Sequence, residues 1–141
     1  MKKILLASAT ILLFATCKKG PGEGGRAFIT GKLFVKNYTS PPCPCSLKEQ
    51  YYAQGENVFI IFGDEPGVGE SVKTSYDGSF RFQYLRKGKY KIFSLSKDTS
   101  STTNSKTVES MVEVEIKKSN ETITLPDLVI LKWDYKQNLL S

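Results

Sequence analysis

Histidine does not occur anywhere in the 141 residues. Its absence removes the commonest general base, the usual zinc ligand and every Ser-His or Cys-His pair. No carboxylate or lysine arrangement points to acid–base chemistry either, so the chain is read as a non-enzyme that needs no metal or organic cofactor. Basic residues do not gather into a run: Lys32, Lys36, Lys48, Lys73, Arg81, Lys89 and Lys91 are scattered. That is a solvated surface rather than a nucleic-acid stripe. After the first seventeen residues no stretch has a 3.6-residue period. What is present is globular composition, 40% hydrophobic and 24% charged, on enough chain to bury a single core without staples.

The first segment has three parts. Lys2 and Lys3 make a positive start, Ile4 to Phe14 is an apolar run broken only by Ser8 and Thr10, and Ala15 and Thr16 are small. That is the layout of a secretory signal peptide over residues 1–16, and a run of eleven residues is too short to span a bilayer. A buried helix or strand is the alternative, but Gly20, Gly22, Gly24 and Gly25 follow at once and leave it nothing to pack on. Without the leader there remain 18 basic against 14 acidic side chains, an excess of four.

The segment Leu13-Phe14-Ala15-Thr16-Cys17 resembles the lipobox of bacterial lipoproteins, in which the cysteine is lipidated and becomes the first residue of the mature chain. Phe14 stands where leucine is usual and Thr16 where Gly or Ala is; loose lipoboxes followed by Lys-Lys look like those of the Bacteroidetes. The resemblance implies a covalent lipid on Cys17 and a membrane as partner. An ordinary signal peptide with an incidental cysteine is the alternative. Each buried methylene contributes ~0.8 kcal/mol, and two acyl chains already anchor a protein stably. Residues 17–26 then read as the lipidated cysteine and a flexible tether, with four glycines and one proline between Lys18 and Arg26. Its reach on Gly-rich statistics is about 15–18 Å. In lipoproteins of this kind acidic residues after the cysteine favour display on the cell exterior. Lys18 and Lys19 stand there instead, which implies an outer-membrane protein facing the periplasm, with surface exposure as the other possibility.

Residues 27–141 read as one all-β domain. Ile29, Gly31, Leu33 and Val35 share a face opposite Thr30, Lys32 and Lys36, and Val58 to Phe62 is apolar on both faces, as in a central strand. A strand near Ser71 to Ser75 leads into Asp77-Gly78, a hairpin signal. Phe80, Phe82 and Tyr84 alternate with Arg81 and Gln83, and Arg86-Lys87-Gly88 turns into Tyr90, Ile92 and Ser94. Val112, Val114 and Ile116 alternate with charged residues, and a last strand covers Thr122 to Leu131. Seven short antiparallel strands of this spacing imply a two-sheet sandwich.

The stretch from Asp77 to Tyr90 resembles the signature of carboxypeptidase regulatory-like domains: an Asp-Gly turn, two alternating aromatics, a leucine, then Gly-x-Tyr. The likeness covers about residues 28–129 and is tightest over 58–90. It implies a transthyretin-like (prealbumin-like) sandwich with Phe80, Phe82, Leu85 and Tyr90 in the core. It implies little about function, because such domains serve as appendages, adaptors and ligand-binding modules. Arg86-Lys87 replaces the usual proline-rich pair, and a long insertion follows the first strand.

That insertion, residues 37–56, is the functional suspect, since connections of this length are uncommon in compact domains. Pro41, Pro42 and Pro44 stiffen it. Cys43 and Cys45 read in three ways: a tight disulfide or idle thiols, soft-metal capture of Cu(I), or thiol exchange. Tyr51 and Tyr52 offer ring surface to a glycan or an envelope protein, while one of the two is expected to fold inward as a cap. Asp64, Glu65 and Glu70 fit no calcium loop and read as a polar hairpin. Trp133 and Tyr135 read as cover for a sandwich edge, with a membrane-surface contact as the other possibility. The resulting expectation is a membrane-tethered, non-catalytic binding or assembly module of the cell envelope; the alternative is a Cu(I) or thiol-redox protein acting through Cys43 and Cys45.

Overall fold

The computed structural model describes residues 19–39, 46–97 and 107–134. The leader, Cys17, Cys43, Cys45, the polar run 98–106 and Tyr135 lie outside the described residues. Within them all regular structure is β, in nine strands and two sheets.

The period-two pattern that begins at Ala27 dictates β1 (Glu23–Thr39), a strand of 17 residues. Its odd-numbered residues Ala27, Ile29, Leu33 and Val35 are fully buried, while the even-numbered ones from Phe28 to Tyr38 are half-buried. β1 is the axis of the first sheet. Along one edge, β5 (Ser79–Leu85) pairs antiparallel with its first half and β2 (Leu47–Tyr52) with its second. The two meet at Leu33, whose N–H donates to the Gly78 carbonyl at 2.9 Å and whose carbonyl accepts from Ala53 N at 2.9 Å. Along the other edge run β8 (Thr122–Thr124) and β9 (Leu128–Asp134), both parallel to β1. The second sheet is antiparallel throughout, in the order β4 (Glu70–Lys73), β3 (Asn57–Phe62), β6 (Gly88–Lys97), β7 (Thr107–Ile116).

Between the sheets lies one core. Ile29, Leu33, Val35, Phe82, Leu85, Leu128 and Ile130 face Val58, Ile60, Tyr90, Ile92 and Ile116, all 2% exposed or less. Each large apolar side chain so buried contributes roughly 1.5–3 kcal/mol relative to exposure. Gly31 has a packing role: a Cβ there would stand 2.7 Å from the tip of the Phe80 ring, so only glycine leaves room for it.

The expected all-β, two-sheet architecture is present, with five differences. The strands number nine rather than seven, and two are parallel to β1. Residues 122–131 do not form one strand, because Pro126 has no N–H for a ladder; the chain breaks there into β8 and β9. They are parallel to β1 because residues 117–121 carry the chain across to the first sheet at the end where β1 begins, as the Phe28 N–H to Glu121 carbonyl bond (2.9 Å) records. The Asp77-Gly78 turn is tight, with Gly78 at φ 77° and Gly78 N donating to the Ser75 carbonyl at 3.0 Å, but the strands it joins belong to different sheets. Residues 37–56 are not one long loop: β2 folds back along β1, and Thr39 N donates to the Ser46 carbonyl at 3.0 Å. Finally, β1 begins at Glu23, inside the stretch read as a free tether.

Candidate functional site

Even-numbered residues of β1 point away from the core, so whatever stands there forms the outer face of the first sheet. Three of them are aromatic, and each meets a ring from a neighbouring strand. Phe28 lies 6.2 Å from Tyr84 of β5, Phe34 5.2 Å from Tyr52 of β2, and Tyr38 5.6 Å from Trp133 of β9, all in tilted or edge-to-face arrangements. At ~3.3 Å per residue the pairs are spaced about 20 and 13 Å apart along the strand. Thr30, Lys32 and Lys36 stand between them, half-buried.

Tyr84 belongs to this face through a backbone irregularity. Alternation from Phe80 and Phe82 would send it into the core. Instead the β1–β5 register shifts between Ala27 and Ile29, and Tyr84 takes φ 57° and is 63% exposed. A left-handed tyrosine costs on the order of 1–2 kcal/mol, and strain of this kind concentrates where a side chain is being aimed at a ligand. Next to it the Arg81 guanidinium lies 4.3 Å from the Phe28 ring centre, a cation–π contact. An open cleft of about 300 Å³ adjoins the pair, lined by Glu23, Glu70, Arg81, Gln83 and Tyr84. Burial, then the nearby Glu23 charge, pushes the Glu70 carboxyl above the usual range.

The middle pair is held by polar contacts. The Tyr52 hydroxyl donates to Asp127 Oδ2 at 2.9 Å, and Lys32 Nζ stands 4.9 Å from the Tyr52 ring centre and 3.5 Å from Asp77. The hydrogen bond to Asp127, then that carboxylate's charge, raises the Tyr52 phenol above the usual tyrosine range. Asp77 accepts from the Ser79 hydroxyl and backbone N–H at 2.6 and 3.1 Å, which holds its carboxyl low.

Of the residues singled out from sequence, Tyr51 and Tyr52 are described, 39% and 42% exposed; neither folds inward as a cap. Among the described residues Tyr52 joins a ring pair and Tyr51 does not. Trp133 lies on β9, an edge strand of the first sheet, where its ring meets Tyr38 and lines an open cleft with Leu95 to Lys97 and Thr107 of the second sheet. Asp64 pairs with Lys91 at 3.6 Å, while Glu70 opens β4 and faces Glu23, so the three acidic residues of that loop do not converge. Cys17, Cys43 and Cys45 lie outside the described residues, and the Cu(I) or thiol-redox alternative with them. Sequence reasoning missed Phe28, Phe34, Tyr38 and Tyr84 as surface groups, and read Arg81 as surface without its ring partner. The signal for the first three was available: they occupy the solvent positions of a clean alternation, where polar residues are the norm.

No family model and no curated protein matches this chain. Among solved structures it is similar to the crystal structure of a Pseudomonas aeruginosa protein provisionally described as carbohydrate-binding. The two are 16% identical over 80% of this chain and 91% of that one, with a TM-score of 0.40. At that score the likeness carries no argument about what this chain binds.

Proposed function

We propose that this chain is a membrane-tethered, non-catalytic binding module of the bacterial cell envelope, anchored by lipid on Cys17, with the outer face of β1 and its neighbours as the binding surface. The anchor rests on the lipobox resemblance and the sandwich type on the Asp77–Tyr90 signature. The surface rests on a single observation: Tyr84 is held in a left-handed conformation with its ring in solvent beside Phe28. A core-filling tyrosine would need no such strain. Ring faces alternate with Arg81, Lys32, Gln50 and Asp127, and that alternation suits a glycan chain, whose C–H faces stack on rings while its hydroxyls take hydrogen bonds.

The test is affinity electrophoresis of the purified protein through gels containing laminarin, dextran or polysaccharide extracted from the envelope, with capture of envelope proteins run in parallel. Retardation of wild type, lost in a Tyr52→Ala/Tyr84→Ala variant of unchanged fold, is the expected result. Equal mobility and equal capture for both proteins would remove this face from consideration.

A further inference from the structure

The stretch just before β1 is glycine-rich, yet the fold grips it. Arg86 Nε donates to the Gly20 carbonyl at 2.8 Å, its Nη1 to the Glu23 carbonyl and its Nη2 to the Pro21 carbonyl at 3.4 Å. The Arg86 backbone N–H donates to the Gly22 carbonyl at 2.8 Å. Gly22 N–H in turn donates to the Tyr90 hydroxyl at 3.0 Å, and that hydroxyl donates to the Arg86 carbonyl at 2.7 Å. The Pro21 ring fills the space beside Gly63 and Gly88 that side chains there would need. Backbone carbonyls of a free tether would be solvated; here four consecutive residues are tied to one turn by long-range contacts.

The consequence is geometric. Gly20 is already held by the domain, so only Lys18 and Lys19 separate it from Cys17. Fully extended, those three steps span about 11 Å, less than the reach of the tether that composition suggests. The clamp also lies at one end of the long axis, because Gly22 leads directly into β1. Glu23 and Ala27 bulge opposite the same residue, Leu85, and from Ala27 the extended part of β1, at ~3.3 Å per residue, carries the chain roughly 36 Å to Tyr38 and its partner Trp133.

We infer that the end of the domain formed by Pro21 and the Arg86-Lys87 turn is a bilayer-contact surface, and that the Arg86–Tyr90 clamp holds it there with the Tyr38–Trp133 pair at the remote end. This rests on the reading of Cys17 as the lipid attachment site, and it decides against a membrane contact by Trp133.

Trp133 is the single tryptophan of the chain and reports its own position. The full lipidated protein, purified from membranes, is added to phosphatidylethanolamine/phosphatidylglycerol vesicles in which part of the lipid is brominated high on the acyl chain. Wild-type emission is expected to stay unquenched. The Trp133→Phe/Lys87→Trp variant, whose reporter sits in the exposed clamp turn, is expected to lose emission. Adding Arg86→Ala, with unchanged circular dichroism, should return much of it. Quenching of wild type, no quenching of the Lys87→Trp variant on vesicles that it has bound, or quenching indifferent to Arg86→Ala each overturns the inference. Failure of the wild-type protein to float with vesicles, or a Cys17 without fatty acid by mass spectrometry, instead overturns the anchoring itself.

Discussion

At one end of β1, side chains grip backbone: Arg86 and the wholly buried Tyr90 hold Gly20 to Glu23 through directional bonds. At the other end, rings lean on rings, Tyr52 against Phe34 and Tyr38 against Trp133, with Tyr52 exposed and the other three half-buried. Both ends use aromatics and cations, but burial differs. A hydroxyl that is removed from water must find partners, and once it has them it fixes geometry. A half-exposed ring gives up little on its own and keeps area available for a partner. Closure of the fold is concentrated at the clamp, and capacity for contact on the outer face.

The largest effect separating the two ends belongs to Tyr90. Tyr90→Ala should cost about 3–5 kcal/mol in denaturant unfolding, the usual consequence of emptying a buried aromatic site. Tyr90→Phe keeps the ring but strands the Gly22 N–H and should cost about 1–2 kcal/mol, with faster amide exchange at Gly22. Comparable destabilisation by Tyr52→Ala would erase the contrast.

Tyr84 gives a smaller effect of opposite sign. Glycine accepts φ 57° freely, so Tyr84→Gly should leave stability unchanged or raise it by up to ~1 kcal/mol while abolishing retardation in polysaccharide gels. A large loss of stability would mean that the ring is structural.

The smallest effect is a titration. The Tyr52 phenol ionises above the usual tyrosine range because of Asp127, whereas in the unfolded chain it ionises at the ordinary value. Its contribution is therefore complete below the ordinary tyrosine range and is lost as pH rises through the raised value. Asp127→Asn should bring the ultraviolet tyrosinate transition of Tyr52 back down. An unmoved transition would show that the hydrogen bond does not hold in solution.

Much of the interior was legible in the sequence. Ile29, Leu33 and Val35 are buried as their alternation requires, Val58 to Phe62 forms a strand with neighbours on both sides, and Phe80, Phe82, Leu85 and Tyr90 fill the core. β2 was not legible, because all six of its residues are exposed and carry no inward face to betray a strand. Nor was the clamp: Gly20 to Gly25 looks like linker by composition, and nothing local announces that Arg86, far along the chain, will satisfy its carbonyls. Tyr84 was placed on the wrong face because one left-handed residue breaks the alternation on which the reading depends.

Amino-acid order alone determined which side chains leave water, since burial follows the two-residue repeat of an extended chain and the repeat is written in the residues. Partnership was decided only in three dimensions. Every strand offers the same backbone donors and acceptors on its edges, so no local pattern says that β9 will lie parallel to β1, that Tyr38 will meet Trp133, or that the glycine-rich stretch before β1 will be held by an arginine. Those outcomes depend on where the turns deliver each edge, and that is a property of the assembled sheets.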